Sequence, residues 1–373
     1  MNNHVRGDLS LKVKERKGGD YLLLFSVITL SVIGLIFVYS ASRYNSAIAY
    51  GDEFFVMKKH AAGLAMGFAA MIFGASFDYR KYRKTGLWLI LGAYVLLGLV
   101  FTPLGFENYG AKRWIKLAGI TVQPSEIAKI CYVIFVAAYF AENPDRAKSF
   151  LGALPVILSG ALFCLLIIFE PNMSITVCFG ALMLVTLFTA GVKFSILACV
   201  IVPAACAVPL LIIAEPYRLN RLSAFLNPWA SPKGEGYQLL QSLYALGSGG
   251  WFGVGLFKSR QKFRFLPFSE SDFILAVIGE EIGFVGLVLL FALAFFIVWR
   301  GLKIAVNCRD FFGFMLSVGI TAVFGIQFLV NALVVTGSIP PTGLPLPLVS
   351  AGNTSLIVFL FSFGVLYNLS RRR

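Results

Sequence analysis

Apolar residues fall along this chain in ten long runs separated by shorter polar breaks. The runs lie at about 21–41, 58–77, 86–105, 124–141, 151–169, 173–191, 194–214, 272–299, 311–336 and 353–369. A helix rises about 1.5 Å per residue, so each run is about long enough to cross roughly 30 Å of hydrocarbon. The pattern predicts an all-α polytopic membrane protein of about ten transmembrane helices. The fifth and sixth runs meet at Glu170-Pro171-Asn172, which predicts a tight turn at the membrane surface. The longest interruption, about 215–271, separates the seventh and eighth runs and is rich in Pro, Gly and aromatic residues, unlike a disordered linker. Within it, Tyr237 to Gly247 spaces Leu239, Leu240, Leu243 and Leu246 at helical intervals. That spacing predicts a short amphipathic helix lying on the membrane surface. A further interruption at 337–352 carries four prolines and no charge. Irregular backbone of this kind is tolerated at membrane depth only where it is buried in protein or lines a cavity.

Composition agrees with the run lengths. Hydrophobic residues make up 58% of the 373 residues and charged residues 13%, against roughly 45–50% apolar in soluble domains. The first run is too long, and lacks the small-residue cleavage site, of a removable signal peptide. Residues 1–20 read as a polar tail, 21–369 as a single membrane domain and 370–373 as a second short tail. An even number of spans puts both tails on one side. That side carries Arg6, Lys12, Lys14, Arg16, Lys17, Arg80, Lys81, Arg83, Lys84, Arg146, Lys148, Lys193, Arg300, Lys303, Arg309 and Arg371 to Arg373. The short loops of the other side carry only Arg43, Lys58, Lys59, Lys112, Arg113 and Lys116. An excess of Lys and Arg marks the cytoplasmic side, so both termini are expected in the cytoplasm. The net charge of +14 is mostly this anchoring set. With no soluble basic domain, nucleic acid is not an expected partner. The six cysteines, at 131, 164, 178, 199, 206 and 308, are scattered and match neither an exported disulfide nor a metal site of CxxC spacing.

The loop at 215–271, placed outside by this orientation, breaks the charge pattern. It holds Arg218, Arg221, Lys233, Lys258, Arg260, Lys262 and Arg264, and Glu215, Glu235, Glu270 and Asp272 accompany them. Long loops are partly exempt from the positive-inside rule, so a solvated loop on anionic headgroups is one reading. A site for a polyanion such as a lipid-linked pyrophosphate is the other. Gly247 to Gly255 could offer backbone N–H groups to phosphate or be only a tight connection. Asp272, at the predicted start of the eighth helix, is placed to take a proton from a hydroxyl. Ser269 and Asp272 also match a capping box, and the residues by themselves favour that cap. Glu280 and Glu281 lie two turns deeper, where a charge costs about 2.5–3.5 kcal/mol unless paired or hydrated. Lys129 follows Pro124-Ser125-Glu126 at the start of the fourth helix, and Glu126 and Lys129 suit an i,i+3 pair. Whether they pair only with each other or join a wider charge network is open at this level.

Taken together, five segments resemble one family. They are FVYSAS in the first run, GAKRWIKLAGITVQPSEIAK before the fourth helix, PYRLNRLSAFLNPWASPKGEGYQLLQSLYALGSGGWFGVGLFKS in the loop, SDFILAVIGEEIG, and TGSIPPTGLPLPLVSAGNTS. In this order they look like the SEDS proteins (shape, elongation, division and sporulation), which polymerise peptidoglycan glycan strands from lipid II. FVYSAS and GAKRW look nearer the division and sporulation branch, FtsW and SpoVE-like, than the RodA-like elongation branch. The resemblance implies the SEDS fold of ten helices, in the bacterial cytoplasmic membrane, with its site on the outer face. It implies that Asp272 is the essential carboxylate, which reverses the preference for the cap. It implies that Glu126 and Lys129 are the family's polar pair and that Arg113, Arg218, Gln238 and Ser350 sit near substrate. Glu280 and Glu281, as intramembrane carboxylates, are expected from the residues themselves to bind substrate or support a functional or structural polar cavity. The implied partners are lipid II, membrane lipid and a class B penicillin-binding protein. No cofactor is assigned, and a divalent cation, magnesium or manganese, is left open beside the basic residues. Three stretches depart from the family pattern. Glu270 stands near where a His is common, Pro171-Asn172-Met173-Ser174-Ile175 replaces Pro-Asp-x-Gly-Thr, and Ser350-Ala351-Gly352-Asn353-Thr354 replaces Ser-x-Gly-Gly-Ser. A lipid flippase and an inactive division scaffold are the competing readings.

Overall fold

In the computed structural model, residues 18–372 are described apart from 109, 110, 118 and 119. The predicted tail residues 1–17, with Arg6, Lys12, Lys14, Arg16 and Lys17, lie outside the described residues, as does Arg373. A helix occupies each of the ten apolar runs. These are α1 (Tyr21–Tyr50), α2 (Phe55–Ser76), α3 (Tyr79–Val100), α4 (Pro124–Glu142), α5 (Phe150–Phe169), α6 (Met173–Thr189), α7 (Phe194–Ile213), α10 (Ile274–Val306), α11 (Phe311–Val335) and α12 (Asn353–Arg371). Eight of them are long and apolar enough to cross a bilayer. The apolar α6 is shorter, at 17 residues, and α2 opens on Lys58, Lys59 and His60. Polar residues at the breaks start the helices. Asp20, Ser149, Asn172 and Asp310 each accept a hydrogen bond from a backbone N–H in the first turn of the helix that follows.

The two described chain ends meet at one end of the bundle. The Asp20 backbone N–H donates to Ser370 Oγ at 2.8 Å, and Arg300 pairs with Asp20 at 2.6 Å. The α2–α3, α10–α11 and C-terminal segments gather there too, through Tyr79 Oη to Asp310 (2.5 Å) and Arg372 to Asp78. The opposite end holds the longer irregular parts: an antiparallel sheet between α3 and α4, the segment between α7 and α10, and the proline-rich 337–352.

Three features differ from the sequence expectation. The α3–α4 connection, expected as loop, forms β1 (Gly105–Asn108), β2 (Ala111–Leu117) and β3 (Ile120–Val122) in the order β1-β2-β3. Alternation over so short a stretch was masked by its glycines and lysines. The segment at 215–271 begins with an additional helix, α8 (Pro216–Leu226), ahead of the expected one, which runs as α9 (Tyr237–Gly249). The predicted Ser269–Asp272 capping box does not form. The helix starts at Ile274 without a side-chain cap, and Ser269 Oγ turns to the Ala41 carbonyl and to Glu270 instead.

The eighth run is not one uninterrupted helix. Gly283 has φ +67°, a left-handed conformation that favours glycine, and it breaks α10. The break leaves carbonyls and amides without helical partners, and the glycine-rich 250–255 supplies them. Val254 N–H and Gly255 N–H donate to the Glu280 and Glu281 carbonyls at 2.9 and 3.1 Å. Phe284 N–H and Val285 N–H donate to the Gly250 and Trp251 carbonyls at 2.9 and 3.0 Å. Irregular backbone thus stays satisfied at depth. The same bonds use the Val254 and Gly255 amides, so this part of the glycine stretch serves as a tight connection.

Helices α2 and α12 approach most closely where side chains are missing. A Cβ on Gly364 would fall 2.1 Å from the Met71 carbonyl oxygen, and one on Gly74 would fall 2.7 Å from the Phe361 carbonyl oxygen. Small residues at such contacts let dispersion between backbones hold helices together where hydrophobic burial cannot. Gly364→Val is expected to force the pair apart and cost about 1–3 kcal/mol, read as a lower thermal midpoint in detergent.

Candidate active site

A cavity of about 650 Å³ opens at the sheet end of the bundle. Asp272 lies in its wall, two residues ahead of α10, with its carboxylate partly open to the space. The backbone beneath it is held at three successive carbonyls. Ala351 N–H donates to the Glu270 carbonyl at 2.9 Å, Ser350 Oγ to the Ser271 carbonyl at 2.5 Å, and Asn331 Nδ2 to the Asp272 carbonyl at 2.8 Å. Gly343, at φ +69°, faces the carboxylate. A Cβ there would lie 3.3 Å from Asp272 Oδ2, so the missing side chain keeps the approach open. Burial pushes the Asp272 carboxyl up to about 6, against the opposing pull of Arg113.

Arg113 reaches the cavity from β2. Its Nε donates to the Glu170 carbonyl at 3.2 Å and its Nη2 to the Pro171 carbonyl. The turn predicted at Glu170-Pro171-Asn172 is therefore the anchor of a cation. Glu170 itself is buried, and neither carboxylate oxygen has a hydrogen-bond partner. Burial pushes its carboxyl up to about 8, with Arg113 opposing. Arg221 and Tyr217 complete the basic wall from α8.

The predicted site residues separate into three groups. Asp272, Arg113 and Gln238 line the cavity. Ser350 stands behind it, pinning the Ser271 carbonyl and accepting from Leu346 N–H at 2.8 Å. Arg218 does not line it: its Nη1 donates to the Leu211 carbonyl at 2.9 Å. On a helix, residues four apart share a face and the next residue is rotated about 100°. Tyr217 and Arg221 therefore face the cavity while Arg218 turns to α7.

Glu126 and Lys129 are buried and paired at 2.8 Å, and Lys129 Nζ also donates to Gln327 Oε1 at 2.5 Å. Lys129 makes no direct bond to Asp272. The link runs through α11, where Gln327 Nε2 donates to the Pro345 carbonyl at 3.1 Å and Asn331, one turn on, holds Asp272. The pair supports the floor of the cavity from below.

Glu280 and Glu281 line no part of the cavity. They grip the segment from Phe257 to Lys262. Glu281 Oε1 accepts from Ser40 Oγ at 2.6 Å and pairs with Lys262 at 3.0 Å, and its Oε2 accepts from Phe257 N–H at 3.0 Å. Glu280 accepts from Ser259 Oγ at 2.5 Å and Arg260 N–H at 2.9 Å. These acids form a structural clasp away from the cavity, so of the two expected roles, functional or structural, the geometry fits the structural one. Sequence reasoning did not single out Glu170, Gln327, Asn331, Tyr217 or Gly343. A buried Gln and Asn one turn apart in an apolar run were the available signal.

A second lobe of about 360 Å³ continues from the first past Trp114, Gln123 and Ser271. Lys59, His60 and Glu270 line it, and both ring nitrogens of the buried His60 lack a protein partner. Among the described residues no group of three or more His, Cys, Asp or Glu converges as a metal site. The side chains facing the cavity do not by themselves make one.

This arrangement defines a multi-pass membrane protein whose charged, two-lobed cavity is set at one end of its helix bundle. The chain belongs to the FtsW/RodA/SpoVE family of cell cycle proteins, which it matches over residues 21–373. It is 37% identical to a probable peptidoglycan glycosyltransferase FtsW of Geobacter sp. (strain M18), covering 95% of this chain and 98% of that relative. It is also 37% identical to stage V sporulation protein E of Bacillus subtilis (strain 168), covering 94% and 97%. Its fold matches a chain of a peptidoglycan synthase complex that coordinates polymerization and crosslinking, at a TM-score of 0.78, 27% identity and 95% and 98% coverage. The rod shape determining protein RodA of Thermus thermophilus shares the fold at a TM-score of 0.71 and 24% identity, covering 95% of this chain and 97% of that one.

Glu281→Leu would leave the Lys262 ammonium buried without its counter-charge. Losing one partner of a buried pair costs about 3–5 kcal/mol. The expected result is a thermal midpoint several degrees lower and faster proteolysis within 250–265.

Proposed function

We propose that this chain is a peptidoglycan glycosyltransferase that polymerises lipid II at the outer face of the cytoplasmic membrane. The observation that carries the reading is the cavity itself: the Asp272 carboxylate beside Arg113 and Arg221, in a chain of this family. The basic residues at the terminal end of the bundle, Arg80 to Lys84 and Arg300 to Arg309 among them, support cytoplasmic termini and an outward-facing cavity.

Polymerisation needs two lipid-linked sugars at once, and the two lobes meet beside Asp272. The lobe walled by Arg113 and Arg221 suits the donor, whose pyrophosphate gains charge as the glycosidic bond to it breaks. The lobe with Lys59, His60 and Glu270 suits the acceptor sugar. Asp272 takes the proton of the acceptor 4-hydroxyl as that oxygen attacks the donor anomeric carbon. Attack opposite to the leaving group inverts the anomeric centre and releases undecaprenyl pyrophosphate. Asn331, Ser350 and Ala351 fix the base, and Gly343 leaves room for the incoming oxygen. By analogy with the synthase complex of similar fold, a class B penicillin-binding protein is the expected partner.

Purified protein is expected to convert lipid II to glycan polymer on a gel. Asp272→Asn should lower that rate about 10²–10⁴-fold with an unchanged thermal midpoint. A folded Asp272→Asn protein of full activity would sink the assignment, and translocation of lipid II without polymer would support a transporter instead.

The two raised carboxyls predict opposite limbs in the pH profile. Below about 6 Asp272 carries its proton and cannot act as base, so the rate should rise through that pH. Above about 8 Glu170 loses its proton and adds negative charge beside Arg113, so KM for the anionic substrate should rise. Glu170→Gln should remove the alkaline rise in KM and leave the acid limb in place.

A further inference from the structure

We propose that a cleft between α3, α4 and α11, at the end of the bundle away from Asp272, binds an anionic phospholipid of that leaflet. The cleft holds about 860 Å³, more than either lobe of the catalytic cavity. It lies near Glu142, at the far end of α4 from Pro124, about 28 Å away along a helix of that length.

Its charge is net basic, with three cations and two carboxylates in its lining. Arg80, Arg83 and Lys84 project from the first turns of α3 at i, i+3 and i+4, so they share a face. None of the three closes an ion pair among the described residues. The two acids of the lining are both engaged elsewhere, although Asp310 also attracts Arg80. Glu142 pairs with Arg146 at 2.7 Å. Asp310 accepts from Tyr79 Oη at 2.5 Å and from Gly313 N–H at 2.9 Å. Arg83 gives one N–H to the Ala141 carbonyl at 3.0 Å, which orients the guanidinium and leaves its other donors available. Guanidinium and ammonium groups converging on one volume match a phosphodiester.

The other walls explain why the ligand is a lipid rather than a soluble phosphate. Leu87, Phe135 and Phe312 line the cleft. From Leu87 an exposed apolar stripe continues down α3 through Leu91 and Val95, at intervals of four residues. A headgroup in the cleft would lay an acyl chain along this stripe. Cytoplasmic anchoring alone calls for basic residues spread at the interface, as Lys193, Lys303 and Arg309 are. It does not call for a cleft with an apolar floor. A lipid seated here would touch three helices, and two of them, α3 and α4, flank the sheet that carries Arg113.

The test uses the full-length protein in non-ionic detergent, read by native mass spectrometry and thermal shift. The probes are phosphatidylglycerol, cardiolipin, phosphatidylcholine and inorganic phosphate. The two anionic lipids are expected to bind and raise the thermal midpoint, and phosphatidylcholine and phosphate are not. The Arg80→Gln/Arg83→Gln/Lys84→Gln variant should bind the anionic lipids about 10- to 100-fold more weakly. The Lys193→Gln/Lys303→Gln/Arg309→Gln variant removes the same charge at the same end and should bind as the parent does. Leu87→Asn changes no charge and should also weaken binding, which keeps the proposal testable if the triple variant folds poorly. Equal losses in both triple variants, equal binding of phosphatidylcholine, or an equal shift from inorganic phosphate would each overturn it.

Discussion

The site depends on one constraint: the backbone from Glu270 to Asp272 is fixed at three consecutive carbonyls by three different donors. Two donors come from the proline-rich segment and one from α11, so the carboxylate is registered against two elements far apart in sequence. A loop residue ahead of a helix would ordinarily sample many orientations, and each is a poor position for a base. Here the loop has no cap of its own, and tertiary hydrogen bonds replace the local one. Gln327, one turn from Asn331, ties the floor of the cavity at the Pro345 carbonyl to the buried Glu126–Lys129 pair. An intramembrane charge pair, costly by itself, thereby becomes part of the support for the Asp272 carboxylate.

The two buried glutamates of α10 show how a costly charge can organise backbone. A glycine break exposes peptide groups, the glycine-rich segment 250–255 satisfies them, and the carboxylates just before the break tie down the residues that follow that segment. Each part requires the others: without the glycines the chains could not approach, and without Lys262 the second carboxylate would lack its cation.

The helices were legible because apolar run length is a property of local sequence and the bilayer sets its scale. The Glu126–Lys129 pair was legible for the same reason, since i,i+3 spacing brings the side chains together on any helix. The α10 break was hidden because Gly283 sits in an apolar run like many tolerated glycines, and only its φ distinguishes it. Arg218 was preferred over Arg221 because the phase of α8 relative to the cavity is not written in its own residues. Glu170 was read as part of a turn, and its burial depends on β2, whose existence the sequence concealed. Pairings that span 57 residues, as Arg113 and Glu170 do, are set by the whole bundle rather than by a window.

Arg113 is gripped by main-chain oxygens of the turn, and peptide oxygens do not titrate. Protons gained or lost at Glu170 therefore act on a guanidinium whose bonds stay in place. A change of charge at Glu170 would thus alter the potential beside Arg113 without breaking the two bonds that hold it.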